Sequence, residues 1–223
     1  MLFDALGSDS QNGYGLYLQI MRCFWLPISI IPVDSRPYGF TYGEWSAKWW
    51  QWLLSIPMEY NPAFDSSGAN SNINQTSLPV FFLCQTYEKA NALPDRTVII
   101  PKNYSIFMPI INWISIIHHD GSTDQELLTV AKEKMNEVAN LEMTVNGIQI
   151  QEGLEKYRVL SPFFDVLLPV SNIVGMSPGI KRAISDGFWL FLEPRESEVH
   201  IASFGSCSSG LTRIGVNYHI SFT

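Results

Sequence analysis

Residues 141–150 read Leu141-Glu142-Met143-Thr144-Val145-Asn146-Gly147-Ile148-Gln149-Ile150, an alternating run centred on Asn146-Gly147. Both central residues tolerate positive φ, so this dipeptide between alternating segments is the strongest short-range signal for a β-hairpin. Working toward the C-terminus, short apolar runs bounded by Pro and Gly turns predict strands near Tyr157–Leu160, Phe164–Leu168, Phe188–Leu192, Val199–Phe204 and Gly215–Phe222. Asp186-Gly187 reads as a turn feeding the third of these, and Gly205–Gly210 as a flexible hairpin loop. Working toward the N-terminus, Val80–Cys84, Thr97–Ile100 and Ile106–Ile117, interrupted by Pro109, read as buried strands.

Two helices punctuate this pattern. Thr41 and Glu44 form a capping-box pair, in which each side chain satisfies a backbone donor at the other end of the first turn. The helix then runs over 42–54 and stops before Pro57. Trp45, Trp49, Trp52 and Leu53 fall at i, i+4, i+7 and i+8 on one face, with Trp50 to the side, so most of the circumference is apolar. Thr123 and Glu126 repeat the capping pattern ahead of a helix over 124–138, with Leu127, Leu128, Ala131, Met135 and Val138 as its apolar stripe. Asn61–Ser77, rich in Asn, Ser, Gly and Pro, reads as a long surface loop.

Composition narrows the class. With 46% hydrophobic and 16% charged residues, and 13 Phe, 9 Tyr and 7 Trp, the 223-residue chain has material for one large core. A net charge of -7, from only 14 Lys and Arg, opposes the phosphate-neutralising surface that nucleic-acid binding requires, so no nucleic-acid partner is expected. Cys23, Cys84 and Cys207 form neither a CxxC pair nor an even-numbered framework, and their disulfide state is left open. The apolar stretch Gly13–Ile31 carries Gln19, Arg22 and Pro27 near its middle, which opposes a transmembrane span. Asp4 and Asp9 before it, and no small-residue cleavage site after it, oppose a secretory signal. Residues 1–35 are therefore read as an extension packed on a single β-rich domain, 36–223. The expected architecture is mostly β, an antiparallel two-layer sandwich or jelly-roll-like sheet pair with two α-helices, with an α+β sheet covered by both helices as the alternative.

The sharpest polar cluster is His118-His119-Asp120, between an apolar run and a capped helix. Imidazole and carboxylate ligands suit zinc or another divalent metal, whereas adjacent strand residues point to opposite faces and the HExxH spacing is missing, so a solvated turn is the competing reading. His200 and His219 lie in C-terminal strands as neighbours across a sheet, either structural or functional. Asp186 and His200 are the candidate catalytic groups. Trp45, Trp49, Trp50 and Trp52 read either as core anchors or as a stacking platform for a sugar ring. No GxSxG, GxGxxG or GxxxxGK[ST] motif is present, and Cys84, in an apolar strand, reads as an inert thiol.

The helix Tyr42-Gly43-Glu44-Trp45-Ser46-Ala47-Lys48-Trp49-Trp50-Gln51-Trp52 with Ser55-Ile56-Pro57 and Asn61-Pro62 resembles the signature of an uncharacterised bacterial and archaeal family. The resemblance continues in Asn140-Leu141-Glu142, Thr144–Gly147, Tyr157-Arg158, Ser161-Pro162, Ser185–Trp189, His200-Ile201 and Tyr218-His219, and covers roughly Arg36 to the end. Its members resemble exported or lipid-anchored proteins, so the resemblance implies export where this chain's own N-terminal residues imply the cytoplasm. The chain departs from the family at Glu196-Ser197-Glu198, where relatives carry a Pro-Gly turn. The family brings no established activity. Two functions follow as expectations: a non-catalytic binding or structural module, with a small molecule or carbohydrate as partner, or a metal-assisted hydrolase of an ester or lactone built on His118, His119 and Asp120.

Overall fold

The computed structural model describes residues 29–86, 93–150, 153–194, 197–208 and 213–223. Cys23 and most of the Gly13–Ile31 stretch lie outside the described residues. Among the described residues two α-helices, α1 (Tyr42–Ser55) and α2 (Asp124–Asn136), accompany ten strands: β1 (Val80–Phe82), β2 (Asp95–Ile100), β3 (Ser105–Ile116), β4 (Val138–Val145), β5 (Ile148–Gln149), β6 (Arg158–Leu160), β7 (Phe164–Leu168), β8 (Gly179–Leu192), β9 (Val199–Cys207) and β10 (Arg213–Phe222). One sheet has the order β1-β3-β8-β6, with β7 also on β8, and the other β2-β10-β9-β4-β5. Over the described residues the protein is a mostly β sandwich of two sheets with two α-helices.

Neither sheet is purely antiparallel. β1 pairs with β3, and β2 with β10, in parallel. The reason is the path of the chain: β1 and β2 lie in different sheets, so the chain crosses between layers where a hairpin would have turned it back. Each of these short strands is added to the edge of its sheet.

Around β3 and the second half of β8 the first sheet is covered on both faces. Along β8, Ser185 meets Ser46 of α1 and Trp189 stacks edge-on against Trp49, while Ile184 packs with Leu127 and Ala131 of α2. Successive strand residues point to opposite faces, so the two helices lie on opposite sides of this sheet. Gly43 sits where α1 crosses β6; a Cβ there would stand 2.6 Å from the Leu160 carbonyl oxygen, so only glycine permits this approach. The second sheet packs against the first where Gly205 of β9 meets β3, an added Cβ falling 2.7 Å from Cβ of Ile111.

Both capping boxes form: Glu44 N–H donates to Thr41 Oγ1 at 3.2 Å and Thr41 N–H to Glu44 Oε2 at 2.7 Å, with Thr123 and Glu126 arranged in the same way. Helix α2 ends at Asn136, two residues before the predicted limit, because Val138 is taken into β4. Pro109 does not divide β3. The strand runs through it with a shift of register between Pro109 and Ile111, the bulge absorbing the missing donor. Asp186-Gly187 is not a turn but the middle of β8, paired with Trp113 and Asn112. Gly187 answers a close approach, since a Cβ there would lie 2.6 Å from Cβ of Asn112. Gly205 through Cys207 belong to β9 and not to a loop.

The segment 61–77 is a tied coil. Asn61 is buried and donates to the carbonyls of Leu53 and Ile56 at 2.7 and 3.1 Å, closing the C-terminus of α1. Gln75 brackets Phe82 with both amide atoms, accepting its N–H at 2.8 Å and donating to its carbonyl at 2.9 Å. Residues 29–31 run beside the end of β8, with Ile31 N–H donating to Phe191 O.

Candidate functional site

The second sheet presents one face to the interior and one outward, and strands β2 and β10 place different chemistry on each. Outward, His200 of β9 and His219 of β10 are register partners, with ring centroids 4.4 Å apart and planes at 83°. Both are exposed, and His219 Nε2 lies 3.8 Å from Asp95 Oδ1 of β2. The hairpin turn after β4 fixes this position: Asn146, at φ 48°, donates its N–H to His200 O, and its side chain accepts the His200 N–H, each at 2.8 Å. The Asn-Gly signal thus anchors the backbone that carries an exposed imidazole.

Inward, Arg96 pairs with Tyr218 in the same two strands. Arg96 is only 1% exposed. Its Nη1 donates to Cys84 O at 2.7 Å and to Tyr218 Oη at 3.0 Å, and the Tyr218 hydroxyl donates to the same carbonyl at 2.6 Å. Nε and Nη2, the two nitrogens of the side-on fork, are buried and have no acceptor among the described residues. Gln85 donates to Ser203 Oγ at 3.1 Å and to Ile110 O, while its own carbonyl oxygen has no donor among the described residues. Burial holds the Cys84 thiol and the Tyr218 hydroxyl above their ordinary values, with Arg96 opposing in each case, so both stay protonated at neutral pH. Burial also pushes the Asp65 carboxyl up. Donors from Asn70 and Ser67, with the charge of Arg96, outweigh that effect and leave Asp65 below the usual range.

The remaining predicted groups are spent on structure. Asp186, 2% exposed, receives Arg158 on both oxygens, with Nη2 at 2.7 Å from Oδ2; the same guanidinium donates to Asn136 Oδ1 and Lys132 O and so ties the end of α2 to the sheet. Asp120 accepts the Ile116 N–H at 2.8 Å and lies 3.1 Å from His119 Nδ1, closing a turn in which His118 takes φ 65°. His118, His119 and Asp120, the candidates for zinc, lie in this turn, and among the described residues no group of three or more His, Cys, Asp or Glu side chains is arranged to hold an ion. Nor do Asp186 and His200 meet, one lying in each sheet.

Trp45, Trp49, Trp50 and Trp52 are buried to 5% exposure or less. Three of them donate Nε1–H to carbonyls, Trp45 to Pro37, Trp49 to Leu83 and Trp52 to Ile73, at 2.8–2.9 Å. Their faces meet Phe82, Phe107, Trp189 and Phe191 and are closed to a sugar ring. Lys48, on the same helix, places Nζ 4.2 Å over the Phe40 ring. A surface pocket of about 450 Å³, bounded by Arg36, Tyr38, Ser105 and Glu193, contains none of the predicted site residues.

Sequence reasoning overlooked Arg96 and Arg158. A signal existed for the first: Arg96, Val98 and Ile100 share one phase of β2, whose exposure alternates along its length, so the guanidinium falls on the buried side.

No family model matches the chain, and no curated protein matches it. Among solved structures, a chain of "Structure of PbICP-C in complex with falcipain-2" aligns over 64% of this chain and 98% of its own, at 6% identity and a TM-score of 0.25. At that score the likeness carries no argument. Among the described residues no helix is long and apolar enough to cross a membrane.

Proposed function

We propose that the protein is a non-catalytic binding module whose recognition surface is the outward face of the second sheet, and that its ligand is a saccharide. The observation that carries this reading is the exposed imidazole pair His200 and His219, held edge to face at 4.4 Å on adjacent strands with Asp95 at their side. Such rings offer π faces to sugar C–H groups, while the carboxylate accepts from hydroxyls and the imidazoles donate or accept. The pair stands on a rigid support, because strands position side chains better than loops do. The candidate carboxylates Asp186 and Asp120 are engaged in structural bonds, which favours binding over hydrolysis.

The test is a panel of mono- and oligosaccharides titrated into the protein, followed through the imidazole resonances. Selective shifts of His200 and His219, with binding lost in the His200→Ala, His219→Ala double variant and unfolding unchanged, support the proposal. A panel that leaves both resonances in place, or binding unaltered in the variant, overturns it.

A further inference from the structure

A second binding feature lies on the other side of the same strand pair and stands independently of the saccharide reading. We infer that the Nε–Nη2 edge of Arg96 is the receptor for a single oxyanion group, a carboxylate or a phosphate, held inside the second sheet. Arg96 is 1% exposed, Nη1 is fully used by Cys84 and Tyr218, and the fork edge has no acceptor among the described residues. That edge is a planar pair of parallel donors, the geometry that matches two oxygens of one anion. A buried cationic donor pair left unmet costs far more than a surface pair, so an occupant there is strongly favoured.

The surroundings define the receptor. Tyr218 and the Cys84 carbonyl hold the guanidinium from behind, and its orientation is thereby fixed before any ligand arrives. Over the strand, Ser67 O accepts Thr97 N–H at 2.9 Å, and Gly68 lies so close that a Cβ would stand 3.1 Å from Cβ of Arg96. The coil 65–72 therefore closes the top of Arg96. Asp65, facing it from that coil, has its oxygens occupied by Ser67 and Asn70 and supplies charge balance without filling the fork.

The protein is unfolded in urea, refolded in chloride buffer to empty the site, and titrated at constant ionic strength with sodium phosphate, sodium acetate and sodium chloride. A saturable rise in Tm of about 3–6 °C is expected when the binding anion stands at roughly ten times its Kd. The Arg96 Nε–H resonance should shift over the same range. Response to phosphate alone assigns a phosphate group, and response to acetate assigns a carboxylate. Arg96→Lys, which keeps the charge and loses the fork, should abolish the saturable part. If that variant fails to fold, the wild-type Nε–H titration still decides. A resonance unmoved by both anions, or a Tm response equal to that in chloride, overturns the inference.

Discussion

Strands β3 and β9 lie against each other, yet they are buried in different ways. Along β3 nearly every residue is shielded from solvent, whereas along β9 buried and more open positions alternate from Val199 to Cys207. The first sheet is an inner layer with a helix on either face; the second has one face in the core and one outside. The difference teaches where change is tolerated. Substitutions in most of β3, in residues 183–192 of β8 and at the indole positions of α1 meet packed atoms, and those at outward positions of β9 and β10 meet water.

The comparison is broken most severely at the α1 layer. Trp49→Ala should destabilise the protein by about 3–5 kcal/mol, read as a lowered midpoint in urea with the slope unchanged. A loss well under 1 kcal/mol would mean the layer is loosely packed. Next comes the tie between α2 and β8: Arg158→Ala strands the Asp186 carboxylate and should cost about 2–4 kcal/mol, less than for a fully buried pair because Arg158 is partly exposed. Replacing both partners with apolar residues should recover much of that loss, and failure to do so would show that the ion pair itself contributes. Thr41→Ala removes the acceptor of the Glu44 N–H and the hydroxyl that donates to Glu44 Oε2, and should cost about 1 kcal/mol by thermal unfolding.

A smaller effect is expected in acid. Glu44 is held below its ordinary value of 4.5 by the Thr41 N–H and hydroxyl, and Glu126 by the Ser122 and Thr123 donors. A carboxyl depressed on folding contributes stability that is fully present above its unfolded value and is lost as pH falls through its folded one. The Tm should therefore decline below pH 4.5, and less steeply in Glu44→Gln, Glu126→Gln than in wild type; equal slopes would remove these two groups from the account. The smallest effect is on the open face, where His200→Ala should change stability by no more than about 0.5 kcal/mol. A larger loss would make the imidazole pair structural.

Much of this arrangement is legible in the residues. The two capping boxes, the Asn146-Gly147 hairpin and the alternation of β9 follow from local chemistry, and the structure keeps them. The first half of β8 is not legible, because Asp186 is explained only by Arg158, 28 positions away in sequence and adjacent in the sheet. The segment 61–77 has the composition of a loose loop, yet Asn61, Asp65 and Gln75 spend their side chains on backbone groups and hold it down. For the candidate site, periodicity places His200 and His219 on neighbouring strands. Beside His118 and His119, the Asp120 carboxylate closes its own turn by accepting the Ile116 N–H, a local bond that residue type does not announce. The parallel edges escape any local reading, since they depend on which sheet each short strand joins.

The indole layer has an optical consequence. Trp49 stands 4.9 Å from Trp50, 5.9 Å from Trp52 and 5.2 Å from Trp189, centroid to centroid, in near-perpendicular pairs. At such separations the transition dipoles couple and excitation passes among the rings before emission. These four chromophores then behave as one antenna, giving an exciton-split band in circular dichroism whose Trp49–Trp189 contribution, the one that joins helix to sheet, is lost once α1 leaves the first sheet. Light absorbed there reports the seam between helix and sheet, so the protein carries its own spectroscopic gauge of that seam.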